Sequence, residues 1–382
     1  MWNQSPGITG TVRADNNRNP NTREVVAQPA TKKVKGSVPL KSACNGRQDV
    51  VVYRSMRRPR VKAEGEGFYH VVSRIGGRRF LIDEKEKRIL LGMIRGAAAF
   101  SGVQVYTYAV MSNHFHLLVR VPRKREVSDG ELEKRMLALY GPGKFNKILA
   151  KWAKWTKKGM PELVEDEKSR LRKRMYDLSQ FCKTFKEAYT QDYNRRHDNT
   201  GTIWEGRFKS VLLEGSYRTM TTVAGYIHLN PVRAAVVERA EESKWTGFGA
   251  GCQGDALAQV GLRALVSRVY GAKDSTWEQA AAVCAETIGG KEPDRTGGIA
   301  PTESDDVVET DEKGRPRRAG SLRALLLHRA AGFVQGVALG GDAFVKRAAR
   351  RLPKRVRRRA ESLFDRCPFL ELKSAAGVRE VS

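Results

Sequence analysis

The chain has no apolar run of about 18 residues, the length a membrane-spanning helix needs, so no segment is read as crossing a bilayer. The first stretch, MWNQSPGITGTVRADNNRNPNTREVV, lacks the apolar centre of a secretory signal. A cytoplasmic, nucleoid-associated location is therefore expected. Cysteine is scarce. Cys44, Cys182, Cys252, Cys284 and Cys367 are odd in number, scattered, and never form a C-x-x-C pair. That argues against a disulfide framework and against a cysteine zinc site. Any metal would have to be held by His, carboxylate or amide groups. The sequence also lacks a Walker loop, a G-x-S-x-G elbow, a Cys/His nucleophile signature and any internal repeat. Acidic residues are in short supply: 42 Asp and Glu against 70 Lys and Arg leave a formal charge of +28. So large a positive excess points to nucleic acid, with an anionic membrane surface as the lesser alternative. The strand-rich part is poor in Asp and Glu, which argues against a carboxylate-based two-metal nuclease.

What is present centres on VQVYTYAVMSNHFHLLVRVP (103–122). Its two halves read as strands joined by a tight turn at Ser112-Asn113. Alternation in a strand places His114 and His116 on one face, about 7 Å apart, and Phe115, Leu117, Val119 and Val121 on the other. Two imidazoles aimed at one spot fit a metal site, but a lone H-x-H is a weak signal and more often marks core or surface histidines. Metal binding would need at least one further ligand.

Ahead of this lie a strand, GFYHVVSRI, and a turn, GGRRF. A helix follows over 83–102, with Asp83 as N-cap, Ile89, Leu90, Met93, Ile94 and Ala97 as its apolar stripe, and Gly102 at its end. The order so far is β-α-β-β. Residues 123–175 read as a charged helical insertion, in which Trp152 and Trp155 are expected to pack rather than stack bases. A long amphipathic helix (175–197) carries Leu178, Phe181, Cys182, Phe185, Ala188 and Tyr189 at helical spacing. A short extended segment and then two helices (216–242) follow, divided at Asn230-Pro231 with Asn230 as the N-cap of the second.

The domain reading is a disordered basic arm at 1–52, a main domain at 53–248 and a helical extension at 249–290. A linker at 291–319 leads into a basic helical region at 320–382. The last contains KRAARRLPKRVRRRA (346–360), with nine Lys or Arg in fifteen residues. Lys354, Arg355, Arg357 and Arg358 are its candidate phosphate contacts, although a solvated face is the cheaper explanation. In GYIHLNP, Tyr226 and Asn230 are four apart and share a helical face. A tyrosine hydroxyl can attack a phosphodiester, and an amide oxygen one turn away can complete a metal shell. Taken alone, the two residues are better read as a packing tyrosine followed by a helix cap.

Together these stretches resemble the IS200-like tyrosine transposases, in particular the REP-associated tyrosine transposases of the HUH endonuclease superfamily. The resemblance rests on FYHVVSRIGGRRFLID (68–83), YAVMSNHFHLLVRVP (108–122), TGTIWEGRFKSVLLE (200–214) and YIHLNPVRAAVV (226–237), in the family's order. It implies that His114 and His116 hold Mg²⁺ or Mn²⁺, that Asn230 is the polar third ligand and that Tyr226 is the nucleophile. It implies cleavage of single-stranded DNA near a hairpin of repeated palindromes. A 5′-phosphotyrosine forms, a 3′-OH leaves, and no nucleotide cofactor is needed. Arg74, Arg78, Arg79, Arg207 and Lys209 are candidate DNA contacts around this site. His70 occupies a position where relatives often carry histidine, and no ligand role is assigned to it. Trp204 is expected to pack beneath the site. The insertion at 123–175 and the whole of 251–382 depart from compact relatives.

The resulting expectation is an α+β protein: a ferredoxin-like antiparallel sheet with helices on one face, plus a helical basic C-terminal extension. The histidines sit on the sheet and Tyr226 on a helix across it. A monomer is expected, with a homodimer as the alternative. The rival functions are a non-catalytic DNA- or RNA-binding protein on the same scaffold and a metal-dependent RNA phosphoesterase.

Overall fold

The structure, a computed structural model, describes residues 60–290, 326, 333–334 and 338–351. The expected arm (1–52), the linker (291–319) and the candidates Lys354, Arg355, Arg357 and Arg358 lie outside the described residues.

The chain runs β1 (Gly67–Arg74), α1 (Glu84–Ser101), β2 (Gln104–Val110), β3 (His114–Val121), then three helices, α2 (Asp129–Lys157), α3 (Pro161–Lys173) and α4 (Leu178–Arg196). β4 (Lys209–Leu213) and α5 (Tyr217–His228) complete the main unit, and the short helices α6 (Asn230–Arg233) and α7 (Gly247–Cys252) follow. The sheet order is β2-β3-β1-β4, with every neighbouring pair antiparallel, and a two-residue strand β5 (Ala338–Leu339) adds in parallel to β4. A β-α-β-β-α-β chain in that order is the ferredoxin-like arrangement.

Local chemistry explains the elements. The Asp83 side chain accepts from the Glu86 N–H at 2.8 Å and caps α1. Gly102 closes α1 in the left-handed region, φ 72°, where an added Cβ would also meet Tyr176. Asp177 caps α4 by accepting from Ser179 and Gln180 N–H groups. Pro142 lies inside α2, where the helix kinks at Gly141.

Strand alternation builds two cores. Tyr69, Val71, Phe115, Leu117, Val119 and Leu212 face α1 and α4, meeting Leu90, Ile94, Phe181, Phe185 and Tyr189. This is the expected one-sided helical layer. Phe68, Leu118, Val211 and Leu213 face the other way, the side of the histidines. There α5 and α8 (Ala256–Tyr270) cover the sheet, with α9 (Trp277–Gly289) packed on both of them, so helices lie on both faces. α8 comes close enough to β2 that a Cβ on Gly261 would stand 2.6 Å from the Tyr106 carbonyl oxygen. Only glycine fits there.

The charged stretch after β3 forms its own small core between α2 and α3. Trp152 is buried and donates its indole N–H to Glu167 at 2.8 Å, and Trp155 packs against the same cluster. Both tryptophans pack, as expected.

One buried charge ties α1 to the end of α4. Glu86 is 1 % exposed and accepts from Tyr189 Oη at 2.9 Å and from Arg196, with His197 Nε2 at 3.0 Å. Burial pushes its carboxyl up, but the bonds from Arg196, His197 and Tyr189 win and hold it down to about 2. Glu86→Gln should therefore cost about 3 kcal/mol, the low end for a broken buried pair because Arg196 stays partly in water. The wild-type contribution is complete above the carboxyl's unfolded value of 4.5 and is lost as pH falls through about 2. Urea denaturation at pH 7 and pH 3 checks this: the gap between the two proteins should be wider at pH 7.

Candidate active site

The β1–β3 register places Arg74 opposite His114 and Val72 opposite His116. Directly opposed residues share a face, so Arg74 and Val72 lie with the two histidines. His70, two residues before Val72 in the same strand, lies on that face too. Its ring stacks on His116 at 5.1 Å between centroids, and the His114 ring meets His116 edge-on at 5.0 Å.

Hydrogen bonds fix which ring nitrogens carry protons. His70 Nδ1 lies 2.6 Å from the Phe333 carbonyl oxygen, which can only accept, so Nδ1 donates. His70 is kept neutral, its value pulled down to about 4 chiefly by burial. Its Nε2 must then accept from His116 Nδ1, 2.9 Å away. That leaves the lone pair of His116 on Nε2. Burial first, then the neighbouring His70 and His114, holds the His116 imidazole well below its ordinary range and therefore neutral. His114 is set the same way. Asn113 Nδ2 donates to the Arg78 carbonyl at 3.1 Å, which turns its Oδ1 toward His114 Nδ1 at 2.6 Å. The His114 lone pair is again on Nε2. Partners behind the rings thus engage Nδ1 of both histidines and turn Nε2 away from those partners.

Across this face lies α5. The Tyr226 ring is 6.0 Å from His116 and 5.9 Å from His70, edge-on to both. The Arg233 guanidinium sits 4.1 Å from the Tyr226 ring centroid and donates to the backbone carbonyls of Tyr226 (2.9 Å) and Leu326 (2.6 Å). Phe333 stacks on the same ring at 4.4 Å. Tyr226 is only 3 % exposed as a result.

Asn230 follows one turn later at the start of a short helix, α6 (Asn230–Arg233). It is not the N-cap, a place held by Leu229 with helical dihedrals. Its Nδ2 instead donates back to the carbonyls of Tyr226 and Ile227, at 3.2 and 3.1 Å, closing the end of α5. The chain continues almost as a helix through residue 229, which lets the amide reach the preceding turn.

Among the described residues, no three of His, Cys, Asp and Glu converge to hold a metal ion. His70 explains why its closeness does not count: its Nε2 is engaged by His116. His114 and His116 lie together on the sheet face, and the Asn230 amide is seen only closing the end of α5.

Of the basic candidates, Arg74 borders His114, and Lys209 is opposite Val72 on β4, two strand spacings (about 10 Å) across from His116 on the same face. Arg78 and Arg79 are exposed on the turn after β1, and Arg207 is exposed just before β4. Trp204 packs: it is buried, donates to Thr190 Oγ1 at 3.0 Å and meets Phe115 edge-on. Sequence reasoning assigned nothing to His70, Arg233 or Phe333. For His70 the signal was its parity with the histidine pair once β1 and β3 are aligned. For Arg233 it was its place in the same YIHLNPVR stretch. No comparable signal marks Phe333.

Comparison with known proteins gives three findings. Residues 66–130 match the family model described as Transposase IS200 like. No curated protein matches. A solved structure, of a REP-associated tyrosine transposase bound to a REP hairpin, aligns with 13 % identity over 51 % of this chain and 84 % of that one, at a TM-score of 0.30.

Proposed function

We propose, from the similarity of residues 66–130 to the IS200-like transposase model, that the chain cleaves and rejoins single-stranded DNA beside hairpins through Tyr226. The observation that carries this reading is the meeting of Tyr226 with the His114–His116 pair on one sheet face, its ring 6.0 Å from His116. A bound Mg²⁺ or Mn²⁺ would neutralise phosphate charge and stabilise the departing 3′ oxygen. The chain's own residues do the rest. His114 and His116 present their Nε2 lone pairs, held in place by Asn113 and His70. Asn230, one turn beyond the nucleophile, offers its amide oxygen. Arg233 lies over the Tyr226 ring, where a cation favours the developing phenolate.

The step balances simply. Tyr226 Oη attacks phosphorus, the bond from phosphorus to the 3′ oxygen breaks, and the phenolic proton ends on the released 3′-OH. The phosphotyrosine keeps the bond energy, so a 3′-OH can reverse the step and join strands. The +28 charge, with Arg74 and Lys209 on the histidine face, supplies phosphate attraction.

One observation favours the non-catalytic rival. Tyr226 is 3 % exposed, with Phe333 stacked on its ring, so a phosphate reaches this residue only when its surroundings rearrange. Incubation with a single-stranded oligonucleotide carrying a palindromic hairpin, with Mg²⁺, separates the readings. A denaturation-resistant protein–DNA adduct is expected. Binding without an adduct would favour the rival, and hydrolysed RNA without an adduct would favour a phosphoesterase.

A further inference from the structure

The turn between β1 and α1 carries a large apolar side chain that the fold does not use. Phe80 is 80 % exposed. An exposed phenylalanine on a loose loop would mean little, but this loop is held on two sides. Ile75 N–H donates to the Asn113 carbonyl at 2.8 Å and Ile82 N–H to the Ser112 carbonyl at 2.9 Å, both in the turn just before His114. On the other side Gly76 N–H donates to the Ile203 carbonyl at 2.8 Å, and Glu205 N–H to the Arg74 carbonyl at 2.9 Å. Ile75 and Ile82 at either end are fully buried. Arg78 takes a left-handed φ of 57°, uncommon for a residue with a Cβ, and its carbonyl receives the Asn113 side chain that orients His114. The loop is thus fixed relative to the histidine pair, and Phe80 is presented outward by a backbone with little freedom to withdraw it.

Its surroundings are cationic. Arg78 and Arg79 precede it, and Arg207 is exposed on the segment that the loop is bonded to. Among the described residues none of these three arginines makes an ion pair. The nearest acidic residue in that segment, Glu205, is exposed and makes none either. A rigid exposed aromatic ring among uncompensated guanidinium groups matches an unpaired nucleotide: the ring takes a base face, the cations take the flanking phosphates. A protein partner with an acidic, apolar surface is the competing occupant. Position favours DNA, because the loop is hydrogen-bonded to the residues that precede and orient His114.

We propose that Phe80 is a stacking platform for one unpaired base of single-stranded DNA, next to the phosphate gripped at His114 and His116, with Arg78 and Arg79 on its backbone. This rests on the single-strand reading above, but its test does not need cleavage. Fluorescence anisotropy on the full chain carrying Tyr226→Phe would compare a single-stranded oligonucleotide with a blunt duplex of the same stem. Phe80→Ala should weaken single-strand binding by about 5- to 100-fold, leave duplex binding unchanged, and keep the salt slope. Phe80→Trp should restore affinity. Arg78→Ala should instead lower the salt slope by about one. A 2-aminopurine placed successively along the strand should be quenched at one position and lose that quenching in Phe80→Ala. Unchanged single-strand affinity in Phe80→Ala, or an equal loss for duplex, overturns the platform alone. Loss of self-association with DNA binding intact would make the patch a protein interface, and also overturns it. Failure of the parent protein to bind any single strand would overturn the single-strand reading, and the platform with it.

Discussion

Tyr226→Phe should form no covalent DNA adduct, a loss on the order of 10⁴-fold or more, as removal of a nucleophile usually costs. The variant should also fold normally, because only a hydroxyl leaves. The ring keeps its stack on Phe333, its edge contacts with His70 and His116 and the Arg233 cation above it. This is what separates a catalytic tyrosine from a packing one. If Tyr226 were core alone, its replacement by phenylalanine would change little in either adduct or fold. Gel analysis under denaturing conditions, beside a thermal melt, reads both at once. Hairpin binding should persist in the variant, since the basic residues around the site are untouched.

His116→Ala is expected to produce the next largest effect. It removes one of two Nε2 donors from a site where no third His, Cys, Asp or Glu stands ready among the described residues. Its loss should exceed the roughly 10- to 100-fold that removal of a partner behind a ligand costs. His70→Ala tests that lesser class. His70 touches no reacting atom in this account. It accepts from His116 Nδ1 and is itself held by the Phe333 carbonyl. Its removal should weaken Mg²⁺ affinity by that 10- to 100-fold factor, and excess Mg²⁺ should recover most of the adduct. The same excess should not rescue His116→Ala. Titration of adduct yield against Mg²⁺ for the two variants distinguishes a ligand from its positioning partner. Equal, unrescued losses would mean that His70 does more than position His116.

Much of this was readable from residue order, and the limits are physical. The period-two alternation of NHFHLLV fixed which side chains of β3 share a face, and the structure sorts them accordingly into two cores. The spacing of Tyr226 and Asn230 survived because the chain stays nearly helical through Leu229, although the amide caps the end of α5 instead of the start of α6. His70 was visible but not assignable. Its contact with His116 depends on the β1–β3 register, which no local pattern specifies. The Phe333–Tyr226 stack and the Arg233–Leu326 bond join residues about a hundred positions apart, where sequence patterning is silent. Coverage of the histidine face by α8, backed by α9, was hidden for the same reason. Their composition announces helices, but the close approach to β2 at Gly261 appears only in three dimensions.

The most direct test of the central claim is to find the atom that carries the DNA. Trypsin should release Thr219–Arg233, a peptide with Tyr226 as its sole tyrosine. Mass spectrometry of the nuclease-trimmed adduct should place a nucleotide on that tyrosine, linked through a 5′-phosphate, with a free 3′-OH on the other DNA fragment. A nucleotide on another residue, such as Tyr217, or cleaved DNA with no protein attached, would contradict the account.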